Sequence, residues 1–428
     1  MPTRREALGL FLVPVLPAAC AQLPAPLPPK GKTPEELARD EDYWAAVARE
    51  FTVDRSAINL NNAAITPSPR IVQDSMARHL AMANSAPVAD VLWGVDPPLK
   101  EAVRRRLAAR WGVDAEEVAI TRNGSEGLQI LQNGFDLARR DEVLCTTQDY
   151  PRMVATFKQR ERREGIVLRQ FKVPVPEENP AKIVALYEAN ITPKTKLILV
   201  THVLNLTGQV MPAREVVALG KKRGIPVIVD GAHSFAQWDY KISDLDCDYF
   251  ATSLHKWLYA PHGTGLLYVK RDKIKALWPL TAAKPEQSDD IRKFEEVGTH
   301  PEANNIAIAE ALTFHEAIGG ARKDARLIYL RDTWAKRLLA TKRVKLYTSL
   351  RGPAPPRAST GGVALVDVAG VDPMKLWAHL WDKHRIQLGA TIHDEFRGLR
   401  VSPNIYTTLE ELDRFCSAVE DVIKRGLG

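Results

Sequence analysis

Cysteine is scarce in this sequence: Cys20, Cys145, Cys247 and Cys416 are the four in 428 residues, and no two form a CxxC pair. That spacing excludes a disulfide-stapled scaffold and a zinc ribbon. No run of about 18 apolar residues occurs, so no membrane-spanning helix is expected. Neither sign of charge dominates. Lys and Arg number 59 against 52 Asp and Glu, and the net +7 is too mild over this length to imply a nucleic-acid partner. Apolar residues at 45% and charged residues at 26% are ordinary for a globular chain, which excludes a mainly disordered, collagenous or coiled-coil protein. No internal repeat is present. At roughly 100–200 residues per domain, the length suggests two or three domains, or one large and one small.

The first 30 residues read as address and tether. Arg4 and Arg5 precede a short apolar stretch from Ala7 to Ala19, and Ala19-Cys20-Ala21 is a small-residue cleavage pattern. Thr3 to Leu8 resembles a twin-arginine export signal, although the usual aromatic after the variable position is missing. Export to a bacterial periplasm is the expectation; cytoplasmic retention and lipid anchoring at Cys20 are the alternatives. The Pro-rich stretch that follows should be an extended tether outside the core.

Thr33-Pro34-Glu35-Glu36 is a helix start, and that helix is expected to reach about Phe51, ahead of an extended Ile58–Asn62. From about Pro67 to Leu312, helical patterns alternate with apolar runs at Val118–Thr121, Glu142–Cys145, Leu197–His202, Val227–Asp230, Tyr249–Ser253 and Gly265–Val269. Several runs are apolar on both faces, as buried parallel strands should be, and the alternation means an α/β layered sheet. Beyond Gly319 a long helix, short strands and a final helix at Leu409–Lys424 suggest a smaller α+β domain. The expected division is 1–30 (signal and tether), 31–66 (N-terminal helix and extended segment), 67–315 (large domain) and 316–428 (small domain). Arg104–Arg106 and Arg160–Arg163 read as solvated helix faces, because no aromatic residues interleave them.

The chemistry concentrates in Ala251-Thr252-Ser253-Leu254-His255-Lys256-Trp257, where a strand ends ahead of the turn Pro261-His262-Gly263-Thr264-Gly265. Ser253 and His255 are polar neighbours of Lys256 able to bind phosphate. Upstream, Asp230 follows three β-branched residues at the carboxyl edge of a sheet, where open α/β folds bind ligands. Asp is also a common turn residue after strands. Ile120 to Gly127 joins a strand to a helix whose free N–H groups suit an anion, although it is neither GxGxxG nor a P-loop.

Taken in order, the phosphate loop, Tyr150, Asn205, Asp230 and Ser253-x-His255-Lys256 resemble the class V aminotransferase family of fold-type I pyridoxal-phosphate enzymes. That family includes cysteine desulfurases, kynureninase-like enzymes and isopenicillin N epimerase-like enzymes. The resemblance runs from about Asn59 to the C-terminus. It implies a large, mostly parallel-sheet α/β domain, a smaller α+β C-terminal domain and pyridoxal 5'-phosphate as cofactor. Lys256 matches the catalytic Schiff-base lysine, and Asp230 the carboxylate that keeps the pyridine nitrogen protonated. His233 matches the residue beside the ring hydroxyl, Asn205 the asparagine near that oxygen, and Tyr150 the aromatic stacked on the ring. Gly124, Ser125, Ser253 and His255 match the phosphate-holding set. Gly298-Thr299 resembles the segment that reaches the neighbouring subunit's phosphate, which implies a homodimer with shared sites. Arg400 matches the arginine that clamps the substrate α-carboxylate, a task suited to a bidentate guanidinium. Asn62-Ala63-Ala64 matches the segment lining the substrate side. Tyr150 also reads as a core aromatic, and His233 as a satisfied supporting histidine.

The resemblance leaves epimerisation, transamination and elimination open. Desulfurases need a nucleophilic cysteine upstream of the carboxylate-binding arginine, and Ile386–Arg400 contains none. His393, Asp394 and Glu395 occupy that loop, and His393 reads either as a second acid/base or as part of a polar surface loop. The ending Arg400-Val401-Ser402-Pro403-Asn404-Ile405-Tyr406 looks most like the isopenicillin N epimerase-like branch. The expected function is chemistry at Cα of an amino acid or a peptide-like amino compound, of aminotransferase or epimerase type. A C–S or C–C lyase of the desulfurase or kynureninase type, and a non-catalytic binding protein of the same fold, are the alternatives.

Overall fold

The computed structural model describes residues 25–88, 96–351, 357 and 359–427; the export motif and Cys20 lie outside the described residues. All six expected runs are strands, and a seventh joins them. β1 (Val118–Thr121), β2 (Glu142–Thr146), β3 (Val167–Phe171), β4 (Thr195–Thr201), β5 (Val227–Asp230), β6 (Tyr249–Ser253) and β7 (Gly265–Val269) form one sheet in the order β1-β7-β6-β5-β4-β2-β3. Successive side chains enter opposite cores. Val118, Ile120, Leu144, Ile198, Val200 and Val229 pack on one face, and Ala119, Val143, Cys145, Leu197, Leu199 and Ile228 on the other. Burial on both faces is why these strands read as unbroken apolar runs. β3 escapes that pattern because it is the edge strand, with Val167 40% exposed. β7 departs from the parallel expectation and runs antiparallel to both β1 and β6. The turn that joins it to β6, residues 254–264, has no helix to carry a parallel crossover.

A second, antiparallel sheet comprises β8 (Val344–Leu346), β9 (Ala364–Val368), β10 (Gly389–Ile392) and β11 (Arg397–Val401), ordered β10-β11-β9-β8. The helices Gly320–Ala340, Pro373–His384 and Leu409–Arg425 supply its core, in which Leu330, Trp334, Leu380, Leu399 and Phe415 are buried. The last helix opens on a capping box between Thr408 and Glu411, worth about 1 kcal/mol. Residues 58–63 run from this unit's core, which holds Ile58 and Leu60, into the main core, which holds Ala63. Ile58 and Asn59 pair in parallel with Ile386 and Gln387, and Asn61 bridges to Ser402.

Three local expectations need correction. The single helix from Thr33 is two, Pro34–Leu37 and Glu41–Ala48, because the Asp40 side chain accepts from the Tyr43 N–H and starts a new helix. The tether is pinned at Ala25, which is buried in the main core; a Pro-rich stretch has little backbone freedom to lose on being held. Arg104 and Arg160 are buried rather than solvated. Arg104 pairs with Glu295 and Glu101 and donates to the Val118 carbonyl. Arg160 donates to the Gln132 and Phe135 carbonyls and pairs with Glu164. Arg104 fastens its helix to the sheet, and Arg160 fastens its helix to the end of the helix Gly124–Gly134.

Candidate active site

The carboxyl ends of β1, β2, β4, β5 and β6 open into a cavity of about 500 Å³. Gly124, Ser125, Tyr150, Asn205, Asp230, His233, Ser253, His255, Lys256, Ala63, Ala64 and Arg400 all line it. Leu128, Arg152, Thr201 and Ala232 also line it. These four carry no motif of their own and follow from helix and strand periodicity around residues that do.

Two residues of the expected set lie elsewhere. Asn62 is buried beside the cavity. Its amide donates to the carbonyls of Asn59 and Ser402, and its oxygen accepts from the Tyr406 hydroxyl. Its neighbour Asn61 touches Arg400 instead. Thr299 sits with Gly298 on an exposed segment away from the cavity.

One end of the cavity is built for an anion. β1 runs directly into the helix Gly124–Gly134, whose first turn is capped by Asn123 accepting from the Glu126 N–H. The Gly124 N–H donates to Ser253 Oγ at 2.9 Å. A Cβ on Gly124 would fall 2.9 Å from Ser253 N, Ser253 Oγ and Thr252 C, so only glycine lets this helix end meet β6 so closely. Ser125, Ser253 and the helix N-terminus thus line the cavity together. His255 adds to them. Its Nδ1 lies 3.1 Å from the Thr264 carbonyl and so carries the ring proton. Burial lowers its pKa to about 4, with Lys256 adding to the effect. A phosphate beside Nε2 would work in the opposite sense and favour a second proton there.

The middle of the cavity pairs a carboxylate with an amine. Asp230 ends β5 and accepts one hydrogen bond, from the Ala232 N–H at 2.9 Å. Burial pushes its pKa up to about 6, with Lys256 pulling the other way. A carboxylate with so much unused accepting capacity suits a cationic ring N–H. Lys256 Nζ stands 3.2 Å from His233 Nε2. Burial lowers the amine to about 8; Asp230 opposes that shift and Arg400 adds to it. At pH 7, roughly one such amine in ten is neutral, against about one in 3,000 for an ordinary lysine. Reductive methylation of the apoprotein, followed by peptide mass spectrometry, should therefore label Lys256 with a midpoint near pH 8. Surface lysines should follow some two pH units later. A Lys256 midpoint level with theirs would refute the assignment.

Tyr150 follows a turn fixed from below by Asp149. One Asp149 oxygen accepts from the Thr146 N–H and hydroxyl, the other from Thr201. Tyr150 is 36% exposed on the cavity wall, which sets aside its reading as a core aromatic. Arg400, on β11, donates from Nη1 to the Asn205 carbonyl at 3.1 Å and from Nη2 to Asn61 Oδ1 at 2.8 Å. Its Nε and Asn205 Oδ1 are buried without a partner among the described residues. The β10–β11 turn forms a clasp outside the cavity. Glu395 accepts from the Thr147 hydroxyl and from Gln148 Nε2, and the His393 ring stacks on Phe396 with Nε2 3.1 Å from the Thr147 carbonyl.

Residues 58–415 match the aminotransferase class-V family. The chain is 30% identical to isopenicillin N epimerase of Streptomyces clavuligerus over 393 residues, 88% of this chain and 98% of that one. Among solved structures, the apo cysteine desulfurase of Thermococcus onnurineus superposes with a TM-score of 0.75 at 23% identity, covering 88% of this chain and 97% of that one. A C-DES variant with glycine covalently linked to its pyridoxal-phosphate cofactor superposes at 0.76 and 23% identity, covering 87% and 98%.

Proposed function

The chain belongs to the class V aminotransferase family, and from that premise we propose that it removes and returns a proton at Cα of an α-amino carboxylate, in the manner of an epimerase or aminotransferase. The fold is the fold-type I α/β architecture and the cofactor is pyridoxal 5'-phosphate. The residues present fit that group. The Gly124 cradle with Ser125, Ser253 and His255 suits its phosphate, Asp230 its ring nitrogen, Tyr150 a ring face, and the unpartnered Asn205 Oδ1 a polar substituent. When bound, the cofactor supplies an electron sink for charge developing at Cα.

The chain's own residues do the rest. Arg400 orients the carboxylate with the guanidinium hydrogens that its two anchors leave free. Lys256 is the covalent anchor and, in its neutral form, the base within reach of the proton. The single observation that carries the reading is the convergence of Lys256, its amine lowered toward neutral pH, and Arg400 in one cavity. Persulfide chemistry fits poorly. Cys145, Cys247 and Cys416 are buried outside the cavity, and burial pushes the thiols of Cys247 and Cys416 up to about 12. The 30% identity to an epimerase over nearly the whole of both chains supports the epimerase side. A peptide-like substrate is part of the proposal.

The test is a panel of D- and L-amino acids and peptide-like amino compounds in deuterated water. Cα deuteration with inversion is the expected result. Keto-acid formation would move the assignment to transamination, and release of a leaving group would move it to a lyase. Absence of exchange with every compound would remove the proposal. The proposal extends to a homodimer, with the exposed Gly298 and Thr299 reaching the partner's phosphate site, and to export by the twin-arginine motif. Sedimentation and N-terminal sequencing of the mature protein test these in turn.

A further inference from the structure

His233 is gripped from both sides of its ring. Nε2 faces Lys256 Nζ at 3.2 Å, and Nδ1 lies 3.4 Å from Trp257 Nε1 in hydrogen-bonding geometry. An indole N–H can only donate. Nδ1 is therefore the acceptor, and the single proton of a neutral imidazole must sit on Nε2. The indole has no room to escape. Trp257 is fully buried, and a Cβ on Gly362 would lie 2.4 Å from Trp257 Cη2, so the backbone there packs flat against the indole. Gln237 joins the two pieces. Its amide donates to the His233 carbonyl at 2.6 Å, and its oxygen accepts the Gly362 N–H at 3.2 Å.

We propose that Trp257 is a positioning residue that sets the tautomer of the active-site histidine, so that His233 presents a proton, and never a lone pair, toward Lys256. The positive groups around the ring point the same way. Lys256, on the turn after β6, and Arg400, on β11, both oppose a positive imidazolium, and burial opposes it more strongly. Asp230, on β5, lines the same cavity and is the nearby negative group.

Two consequences follow. The neutral Lys256 amine can accept from Nε2–H, whereas its ammonium form would set N–H against N–H. The neutral amine is thereby favoured. In addition, His233 cannot be the group that relieves Lys256 of a proton, because its lone-pair nitrogen points away and is already occupied. His233 serves as a fixed donor to whatever basic atom stands at that spot. This second consequence rests on the reading of Lys256 as the reactive amine; the tautomer does not.

The experiment uses the apoprotein with ¹⁵N-labelled histidine and long-range ¹H–¹⁵N correlation of the imidazole rings. His233 is assigned by its absence from His233→Gln. The expected wild-type pattern is a neutral ring with a pyrrole-type Nε2 and a pyridine-type Nδ1, unchanged from about pH 6 to 9, across the usual histidine titration. In Trp257→Phe the freed Nδ1 should show either a second tautomer or a protonation step in that window. A benzothiophene isostere of tryptophan at position 257 keeps the ring volume and removes only the N–H. It should behave like Trp257→Phe, and it stands in should the Phe variant fail to fold. A wild-type proton on Nδ1 would overturn the proposal. So would both replacements leaving tautomer and pH response as in the wild type. Because the apoprotein is observed, neither result depends on which reaction the loaded enzyme runs.

Discussion

Lys256→Ala is expected to abolish the visible absorbance of the cofactor-loaded protein and to lower Cα proton exchange by at least about 10²–10⁴-fold, the range a positioned acid or base contributes. Lys256 is the only lysine that lines the cavity among the described residues. His233 offers its lone pair to Trp257, and Asp230 is the carboxylate matched to the ring nitrogen of the cofactor. Lys256→Arg keeps a charge but supplies no nucleophilic amine, and it should lose as much. Stability separates loss of function from loss of fold. Burial holds the folded-state pKa of Lys256 near 8, below its unfolded value of 10.5. Protonation then favours the unfolded chain, and the cost is fully present below about pH 8 and fades as pH rises toward 10.5. Removing the amine relieves that cost, so apo Lys256→Ala should melt no lower than the wild-type apoprotein at pH 7. A coloured variant with undiminished exchange would refute the assignment. A variant that melts well below the wild type would show that the lysine is structural.

Much of this site is legible in the sequence because it rests on short-range rules. An anion loop must follow a strand and open a helix, and Asn123-Gly124-Ser125 does so. A carboxylate at a strand's C-terminal edge must face the ligand crevice, and Asp230 does so after Val227–Val229. What stays hidden depends on which way a side chain turns and on what arrives from far away. Asn61 and Asn62 are adjacent and chemically identical. Only the pairing with Ser402 decides that Asn62 turns inward while Asn61 reaches Arg400. Arg104 and Arg105 look like one basic patch, yet Glu295, nearly 200 positions away, draws the first into the core. Nothing in the sequence marks the indole of Trp257, around which His233 and Gly362 close from two other segments. The antiparallel course of β7 and the break at Asp40 belong to the same class, because connection length and capping outweigh apolar pattern there.

Arg400→Met should raise KM for an α-amino carboxylate and lower kcat/KM by about 30- to 5,000-fold, with a smaller change in kcat. That range corresponds to roughly 2–5 kcal/mol, the cost of removing one partner of a buried charge pair. The guanidinium is held before any substrate arrives, since Asn205 O and Asn61 Oδ1 fix two of its nitrogens and leave the buried Nε without a partner among the described residues. Such preorganisation avoids an ordering cost on binding. It also makes Arg400→Lys a poor substitute, because one ammonium cannot keep both anchors and still meet a carboxylate in the plane of a fork. Asn61→Ala removes one anchor while keeping the charge, so it should cost less than Arg400→Met. The two effects should not add, because the anchor acts only through the guanidinium. The corresponding amine without its carboxylate is the control substrate. Wild type and Arg400→Met should process it at similar, low efficiency if the guanidinium acts on the carboxylate. An equal proportional loss on the decarboxylated amine would instead assign Arg400 to holding β11 against the Asn205 loop. The isolated kcat/KM ratio between the two substrates therefore measures the contact itself, independently of any loosening of the small sheet.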